Sequence, residues 1–489
     1  EMFRKATITQ IEANHTIESP HISRISDEYR NARREQDRAQ RKLDLLLNKG
    51  LKNSEVSEFF PYRYLASEGF LPGYNFSRLP LRLFLEDSST GGDYISRPRK
   101  LALNEFGPDN VIYYNGSKYK VNRMELDPTK NEDRNNELSF ETMKVFVDSG
   151  YVLLNEEASR DTSPFSPSDS NDPNKYELMK NLLPMQTMRA YSTERISCDE
   201  EERLRKGYEK DTFFHHEKIQ AIQDKKVKVI NGDDQYLNIH YLPAVDLIHV
   251  NYHWKISAAQ RTGGGFALDT KTGAWLSEKE TLKKIEQNKT DFRRVHLYTK
   301  DTADALYIEP LPHLQLTKAG SITLMYALKR AITDYFQLEQ SDIDVQLMGR
   351  AESPNLFIYE SAEGSLGVIS QIAEKADIFR EIVAKAYSIC HFENGEDKHP
   401  KGKLYYASYD DLLDYYNQFQ HEEINRHEIK SALELLLAST FDIQKKRSHE
   451  EQYKHLSSRY DENSSMEKQF LDYLRKNKLQ FPDQAQKNM

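Results

Sequence analysis

The sequence predicts an α+β protein with an N-terminal connector helix, a β-rich middle part and a C-terminal α/β part. Residues 24–49 have helical spacing, residues 58–125 hold short aromatic runs separated by turns, and from residue 303 strand-length and helix-length segments alternate. The 489 residues allow two to four domains. We predict four parts: a helical connector at 1–57, a β-rich subdomain at 58–224, an α/β domain at 225–440 and a helical tail at 441–489.

The predicted N-terminal helix has an apolar stripe with a polar gap at Gln36, and it ends at Gly50. Its opposite face carries both positive and negative side chains. That face would lie on nucleic acid, or the helix would dock on another domain through its stripe. The mixed signs favour docking. The stripe residues are Ile25, Tyr29, Ala32, Ala39, Leu43 and Leu46.

The middle part is predicted to consist of short strands, including strands at 59–64 and 79–84. Aromatic residues alternate on both sides of Asn115-Gly116, which predicts a hairpin with a tight turn. The polar segment at 155–175 is rich in Ser, Pro, Asp and Asn, which predicts a surface loop or disorder.

The C-terminal part is predicted from alternating apolar segments. The turn after Glu360 contains Glu363 and Gly364, at a position where α/β sheets often bind ligands. An anion at the following helix is one interpretation. The two glutamates would repel phosphate, which favours a structural turn. The predicted strands are 305–310, 343–348 and 356–360, and the predicted helices are 322–336, 365–375, 377–390, 410–418, 425–439 and 464–478.

Composition limits the classes of function. The net charge is −9, so any contact with nucleic acid must come from a local basic patch. The two cysteines, Cys198 and Cys390, cannot build a four-thiolate site, and their low number fits a reducing compartment. We see neither a signal peptide nor an apolar run long enough to cross a membrane, so we expect a cytoplasmic protein without a membrane partner. The chain begins with Glu, and we expect a piece of a longer protein.

The sequence contains no complete catalytic site. It has no G-x-x-x-x-G-K-[ST] loop, so we expect no ATP hydrolysis by this chain. The acidic run 199–202 resembles the Mg²⁺-binding box of a motor, but it follows a polar segment. It fits better as the first turn of a helix capped by Ser197. The histidines have no Ser or Cys partner at a suggestive spacing.

The strongest nucleic-acid signal is a basic segment interleaved with aromatic residues. Arg and Lys contact phosphates, while aromatic faces such as those of Tyr62, Phe76 and Phe84 stack unpaired bases. The alternative is an aromatic core with arginines at its rim. The predicted nucleic-acid-binding residues are Arg63, Arg78, Arg82, Arg97, Arg99 and Lys100.

Six ordered motifs carry a resemblance to a known family. They are YRYLASEGFLPGYNFSRLP at 62–80, SRPRKLALNEFGPDNVIYYNGSKYKV at 96–121, ERISCDEEERLRKGYE at 194–209, IEPLPHLQLTKAG at 308–320, YESAEGSLGVISQ at 359–371 and ASYDDLLDYYNQ at 407–418. The series resembles the C-terminal region of large bacterial superfamily-two DEAD/DEAH-box helicases. Those proteins carry an Mrf-type zinc-binding domain of unknown function and occur in DNA repair and in Druantia- and DISARM-like antiphage defence.

The resemblance implies the non-motor half of a helicase that guides single-stranded or forked DNA. The motor domain, with its ATP and Mg²⁺, would be supplied in cis or in trans, and other defence proteins are possible partners. The rival hypothesis is a scaffold subunit that binds the motor without touching DNA. The part at 225–440 would be the helicase-associated domain. The tail at 441–489 is similar to the start of a nuclease-like domain.

The resemblance also implies zinc sites whose ligands are degenerate here. Relatives place Cys-x-x-Cys-Gly near 145–151, in the zinc-ribbon-like segment, and Cys-x-x-Cys at the position of 408–411. Cys390 remains a plausible ligand of the second site, and a mixed site with His391, His399 and Asp411 is conceivable. We expect instead a zinc-free remnant and predict no metal or other cofactor in this chain. Packing would replace the metal, through Tyr405, Tyr406, Tyr409, Leu412, Leu413, Tyr415 and Tyr416.

Overall fold

The structure is a computed structural model. It describes residues 2–18, 80–86, 92–126, 140–160, 163, 165, 175–196, 207–216, 226–255, 264–349, 354–361, 366–443 and 465–476, and single positions within 29–43 and 453–457. The predicted strand at 59–64 and the acidic run 199–202 lie outside the described residues. The fold is α+β, as the sequence predicts.

Two long antiparallel strands, β11 and β14, form the centre of the larger sheet. The strands of this sheet are β5 (Glu141–Phe146), β6 (Val152–Leu154), β7 (Tyr176–Pro184), β9 (Tyr208–His215), β10 (Lys226–Asn231), β11 (Asp234–Trp254), β12 (Phe266–Asp269), β13 (Trp275–Leu276), β14 (Phe292–Pro310), β15 (Ile343–Met348), β16 (Asn355–Glu360) and β19 (Thr440–Ile443). One end of the long pair has the order β19-β10-β11-β14-β16-β15, and the other has β9-β11-β14-β7-β5-β6. Strands from both sides of residue 225 therefore share one sheet.

A bulge separates the two ends of the long strand pair. The pairing register shifts between Leu242 and Val245, and Ala244 has a φ of 50°. The Ala244 N–H donates to Asp304 Oδ1 at 2.7 Å. This side-chain acceptor replaces the ladder partner that the bulged backbone loses, so the strand bends without leaving a buried N–H unpaired.

Four helices cover one face of the first end of the sheet: α4 (Lys318–Phe336), α5 (Val368–Glu374), α6 (Ala376–Ile389) and α7 (Lys430–Leu437). Leu306 and Ile308 of β14 point into the core beneath them, whereas Ala305 and Tyr307 point into an aromatic core on the other face. Burial on both faces explains why residues 305–310 are almost continuously apolar in the sequence.

A five-stranded sheet in the order β2-β1-β8-β4-β3 packs against the N-terminal end of β14. Its strands are β1 (Leu81–Glu86), β2 (Asp93–Arg97), β3 (Val111–Tyr114), β4 (Ser117–Met124) and β8 (Met188–Arg195), and helix α2 (Arg99–Glu105) follows β2. The predicted Asn115-Gly116 turn joins β3 to β4, with φ of 45° and 77° at its two residues. These values are the left-handed conformations that a tight hairpin requires.

Helical pairs lie at both ends of the chain. The described positions between 29 and 43 are helical and meet α1 (Met2–Glu18), where Gln36 Nε2 donates to Asn14 Oδ1 at 2.6 Å. The polar gap in the predicted stripe thus has a polar partner. At the other end, α8 (Ser465–Lys476) packs its Leu471 and Leu474 against Leu456.

The predicted helix at 410–418 is wrong. The segment consists of turns, followed by a 3₁₀ helix at Gln418–Glu423. Asp414 Oδ1 accepts the N–H groups of Tyr416 and Asn417, and Asn417 Oδ1 accepts the N–H of Asp414. Such local side-chain acceptors compete with helical hydrogen bonds. Most other predicted C-terminal elements are present. The remaining elements are a short helix, α3 (Glu278–Glu286), and a two-stranded sheet of β17 (Phe392–Glu393) and β18 (Glu396–Asp397).

Candidate functional site

The predicted nucleic-acid-binding residues differ in their surroundings. Arg63 and Arg78 lie outside the described residues. Arg82 lies on β1 and is only 9% exposed, and its Nη1 has no hydrogen-bond partner among the described residues. Phe84, two residues further on the same face, is 4% exposed and contacts the ring of Tyr94. Its ring face is therefore not available to stack a base, and this part of the segment is a packed aromatic surface.

Arg97 and Lys100 are paired with carboxylates. Arg97 Nε donates to Glu105 Oε2 at 2.8 Å across α2. Lys100 Nζ donates to the Tyr359 hydroxyl at 2.9 Å and forms an ion pair with Asp344. Burial alone would lower the pKa of Lys100, but Tyr359 and Asp344 raise it above its ordinary value. Lys100 therefore ties α2 to β15 and β16.

Two lysines that the sequence analysis missed extend this basic region. Lys210 on β9 donates to Asn104 Oδ1 at 3.2 Å, which places its ammonium group beside α2. Burial, together with the charges of Lys100 and Lys255, lowers the pKa of Lys210. Lys255 follows β11 and is exposed. Neither Lys210 nor Lys255 forms an ion pair with a carboxylate in the part of the chain that the structure describes.

The strand register explains why these cations face α2 while the neighbouring acids do not. Lys210 is paired with Asn251, whose side chain donates to the Leu103 carbonyl of α2 at 3.0 Å. Glu209 and Asp211 are adjacent in the strand and so point to the opposite face. Arg97, Arg99, Lys100, Lys210 and Lys255 together are called the α2 basic cluster below. Sequence distance hides this grouping, because β9–β11 pairing brings residue 210 to helix α2 and residue 255 near residue 210.

The candidate metal ligands meet at the C-terminal end of α6. His391 Nε2 lies 3.4 Å from Asp411 Oδ2, and the rings of His391 and His399 are 4.9 Å apart. The His399 ring stacks on Tyr405 at 3.6 Å. Cys390 is fully buried, and burial followed by the nearby charge of Asp411 raises the pKa of its thiol. Cys390 and His391 therefore do come together with Asp411 of the segment 408–411.

Arg426, which the sequence analysis did not single out, lies beside this group with 0% exposure. Its guanidinium donates to the carbonyls of Cys390, Gly402 and Tyr405 and to both oxygens of Asp397. The rings of Phe392 and Tyr405 lie 5.0 and 5.3 Å from the guanidinium carbon. The distances are 2.8 Å to Cys390 O, 2.9 Å to Gly402 O, 2.9 Å to Tyr405 O, and 2.9 and 2.7 Å to Asp397 Oδ1 and Oδ2.

The tyrosines of this region do not pack as predicted. Tyr405 is partly buried and Leu412 is buried, but most of the remaining aromatic residues point to solvent. The exposed members are Tyr406, Tyr409, Tyr415 and Tyr416, together with Phe419. Turns around Asp411 and Asp414 direct these side chains outward, so packing of the tyrosines does not take the place of a metal.

The side chain of Glu360 supplies a negative charge to the turn after β16. The carboxylate of Glu360 accepts the N–H groups of Leu366, Gly367 and Ile369 at 2.7, 3.3 and 2.9 Å. These are the donors that a bound anion would use at the start of α5. The turn is therefore structural, as the two glutamates favoured.

Comparison with known proteins identifies one segment of the chain. Residues 324–395 match the family model described as the MrfA Zn-binding domain. This segment is similar to that zinc-binding domain and is called the MrfA-type domain below. The matched segment runs from α4 through β15, β16, α5 and α6 to the tight turn after β17, and the Arg426 contacts lie at its end.

Two solved structures were also matched. The chain is similar to "Crystal Structure of DUF1998 helicase MrfA bound to DNA", with 11% identity and a TM-score of 0.34, over 81% of this chain and 39% of that chain. The second match is "Crystal Structure of DUF1998 helicase MrfA bound to DNA and AMPPNP", with 10% identity, a TM-score of 0.25, and 71% and 30% coverage. No curated protein matches the chain.

The residues of this MrfA-type domain do not fit a zinc ion. Structural zinc needs four ligands in tetrahedral geometry, usually with thiolates. No group of three or more His, Cys, Asp or Glu suited to a metal occurs among the described residues. The Asp411 carboxylate accepts hydrogen bonds from Tyr405, Ser408 and Leu412, so its oxygens already have partners within the chain. Within the same described residues, no helix is both long and apolar enough to span a membrane.

Proposed function

We propose that this chain is a non-motor, DNA-binding accessory region of an ATP-dependent bacterial DNA helicase that acts in antiphage defence or DNA repair. The MrfA-type domain at 324–395 and the six ordered motifs support the helicase part of this proposal. The chain spans 39% of the first matched structure's chain, so the motor is proposed to lie outside it.

The observation that carries the DNA-binding part is the α2 basic cluster. Lys210 extends from β9 to Asn104 of α2, and the charges of Lys100 and Lys255 lie near its ammonium group. Burial, followed by the positive charges of Lys100 and Lys255, lowers the pKa of Lys210, and no carboxylate among the described residues forms an ion pair with it. Crowded cations gain most when a phosphate approaches, because a phosphate relieves their repulsion and releases its own condensed counterions.

A scaffold without DNA contact is the second candidate. The net charge of −9 and the pairing of Arg97 with Glu105 and of Lys100 with Asp344 favour it. Under this hypothesis the remaining cations only keep the region soluble, and the chain binds the motor through its N-terminal helices.

Fluorescence anisotropy with a labelled single strand at several salt concentrations tests the proposal. Binding is expected to be insensitive to base sequence and to weaken steeply with salt. The double variant Lys210→Ala/Lys255→Ala is expected to reduce the salt slope by roughly one to two, about one per lost phosphate contact.

The matched control is Lys375→Ala/Lys385→Ala, which removes the same charge from exposed positions on and beside α6. It is expected to leave the salt slope unchanged. Equal losses in both double variants would mean that net charge alone matters and would contradict a site at α2. A flat response of the unmodified chain at low salt would favour the scaffold.

A further inference from the structure

Arg426 is the best-satisfied buried charge in the described chain. A guanidinium has five N–H donors. In Arg426, Nε makes one hydrogen bond and Nη1 and Nη2 make two each, so every donor has an acceptor between 2.7 and 2.9 Å. The bidentate contact with Asp397 neutralises the charge and lowers the pKa of that carboxyl group. Such complete pairing is what makes a buried charge tolerable.

The acceptors come from separate segments of the chain. Cys390 ends α6, Asp397 ends β18, and Gly402 and Tyr405 belong to the turns that follow. Arg426 itself precedes α7, and its own N–H donates to the Tyr406 carbonyl at 3.1 Å. One cation therefore links the end of α6, the β17–β18 hairpin, the turn region and the start of α7.

A structural zinc ion does the same work in small loop-rich domains: one buried positive charge gathers donors from distant segments. Here Cys390, near the end of the segment that matches a Zn-binding domain, lies close to Asp411, but the described residues do not fit a metal. We infer that Arg426 takes the structural place of the metal in this MrfA-type domain, with Asp397 and three backbone carbonyls as its partners, so that the domain is held together without zinc.

Thermal unfolding of the full chain tests this inference. Arg426→Met keeps the apolar stem and removes all five donors, so Asp397 and three carbonyls lose their bonds to the guanidinium. It is expected to lower Tm by roughly 5–10 °C. Arg426→Lys keeps the charge but cannot reproduce the planar fork, and it is expected to lower Tm nearly as much. Lys403→Ala, an exposed cation in the same segment, is the control and is expected to change Tm by less than about 1 °C.

Asp397→Asn keeps the test decisive if the Arg426 variants do not fold. It removes one charge of the pair and is expected to lower Tm by an intermediate amount. Addition of EDTA to the unmodified chain is expected to leave Tm unchanged, and elemental analysis is expected to find less than about 0.1 zinc per chain. About one zinc per chain together with a lower Tm in EDTA would overturn the inference. So would Arg426→Met and Asp397→Asn variants as stable as the Lys403→Ala control.

Discussion

Glu360 is buried at the end of β16, where its carboxylate accepts three backbone N–H groups at the start of α5. A charged side chain inside a helix N-terminus satisfies donors that have no partner within the helix. The same donors in other proteins bind phosphate. Here the chain supplies the anion, and this is why a Gly-containing turn at this position does not indicate a ligand.

Replacement of Glu360 is expected to lower the free energy of unfolding. Glu360→Gln removes the charge and turns one acceptor into a donor facing N–H groups, so we expect a loss of about 2–3 kcal/mol in the free energy of unfolding. Urea unfolding measures it. Glu393→Gln, at an exposed position of β17, is the control and should change stability by less than about 0.5 kcal/mol. A near-neutral Glu360→Gln variant would show that the turn does not depend on the carboxylate.

Two buried histidines are expected to shape the dependence of stability on pH in opposite ways. Burial alone would lower the pKa of His215, but Asp246 and Glu157 raise it above 6.5. Its stabilising contribution is complete below about pH 6.5 and is lost as pH rises through the raised folded-state pKa. Burial and the charge of Lys100 lower the pKa of His249 to about 3. Its contribution is complete above about pH 6.5 and is lost as pH falls toward 3.

Urea unfolding between pH 4 and 9 separates the two effects. His215→Gln is expected to remove part of the decline above pH 6.5 and to leave the acid side unchanged. His249→Gln is expected to flatten the acid side, and it serves as the opposite-sign control. If the His215→Gln profile were parallel to that of the unmodified chain above pH 6.5, the assigned ion pairs would be wrong.

At the scale of elements, most aromatic side chains of the segment 404–419 are exposed to solvent. Tyr415→Ser/Phe419→Ser is therefore expected to change the free energy of unfolding by less than about 1 kcal/mol, since both side chains are exposed. Leu412→Ala in the same segment removes a buried side chain and should cost about 2–5 kcal/mol. Urea unfolding checks both. A large loss in the double variant would restore the hypothesis that these aromatic residues pack in place of a metal.

At the scale of the whole molecule, β11 and β14 run through several cores at once. Leu297 of β14 belongs to the core beneath the five-stranded sheet, and Leu306 to the core beneath helices α4 to α7. A strand pair shared in this way should couple the two cores. We therefore expect one cooperative unfolding transition for the described body.

The two tryptophans provide a test of the single unfolding transition. Trp254 and Trp275 both report on the core beneath the five-stranded sheet, whereas the far-UV circular dichroism includes the helices of the other core. Coincident urea midpoints from fluorescence and circular dichroism are the expected result. A fluorescence transition at clearly lower urea would mean that the cores unfold separately and would support a division of the chain near residue 225.

The sequence by itself determined the elements whose signals are local. The Asn115-Gly116 turn follows from the left-handed conformations that these residues accept, and helix α4 and strands β15 and β16 follow from apolar spacing. The resemblance carried by the six motifs was likewise readable, and the match at 324–395 confirms it for that segment. The four domain boundaries and the six predicted nucleic-acid residues stay predictions.

Only the tertiary structure decided which charges are neutralised and which side chains meet. The sequence predicts Lys100 as a phosphate contact, and only the fold shows that Asp344, 244 residues away, forms an ion pair with it. Strand pairing alone brings Lys210 to α2 and Lys255 near Lys210, and no sequence neighbour of Arg426 reveals its five acceptors. Electrostatic partners depend on distance in space and on local exclusion of water. Spacing along the chain reports neither quantity, so the charges that could bind DNA or replace a metal could be assigned only after folding.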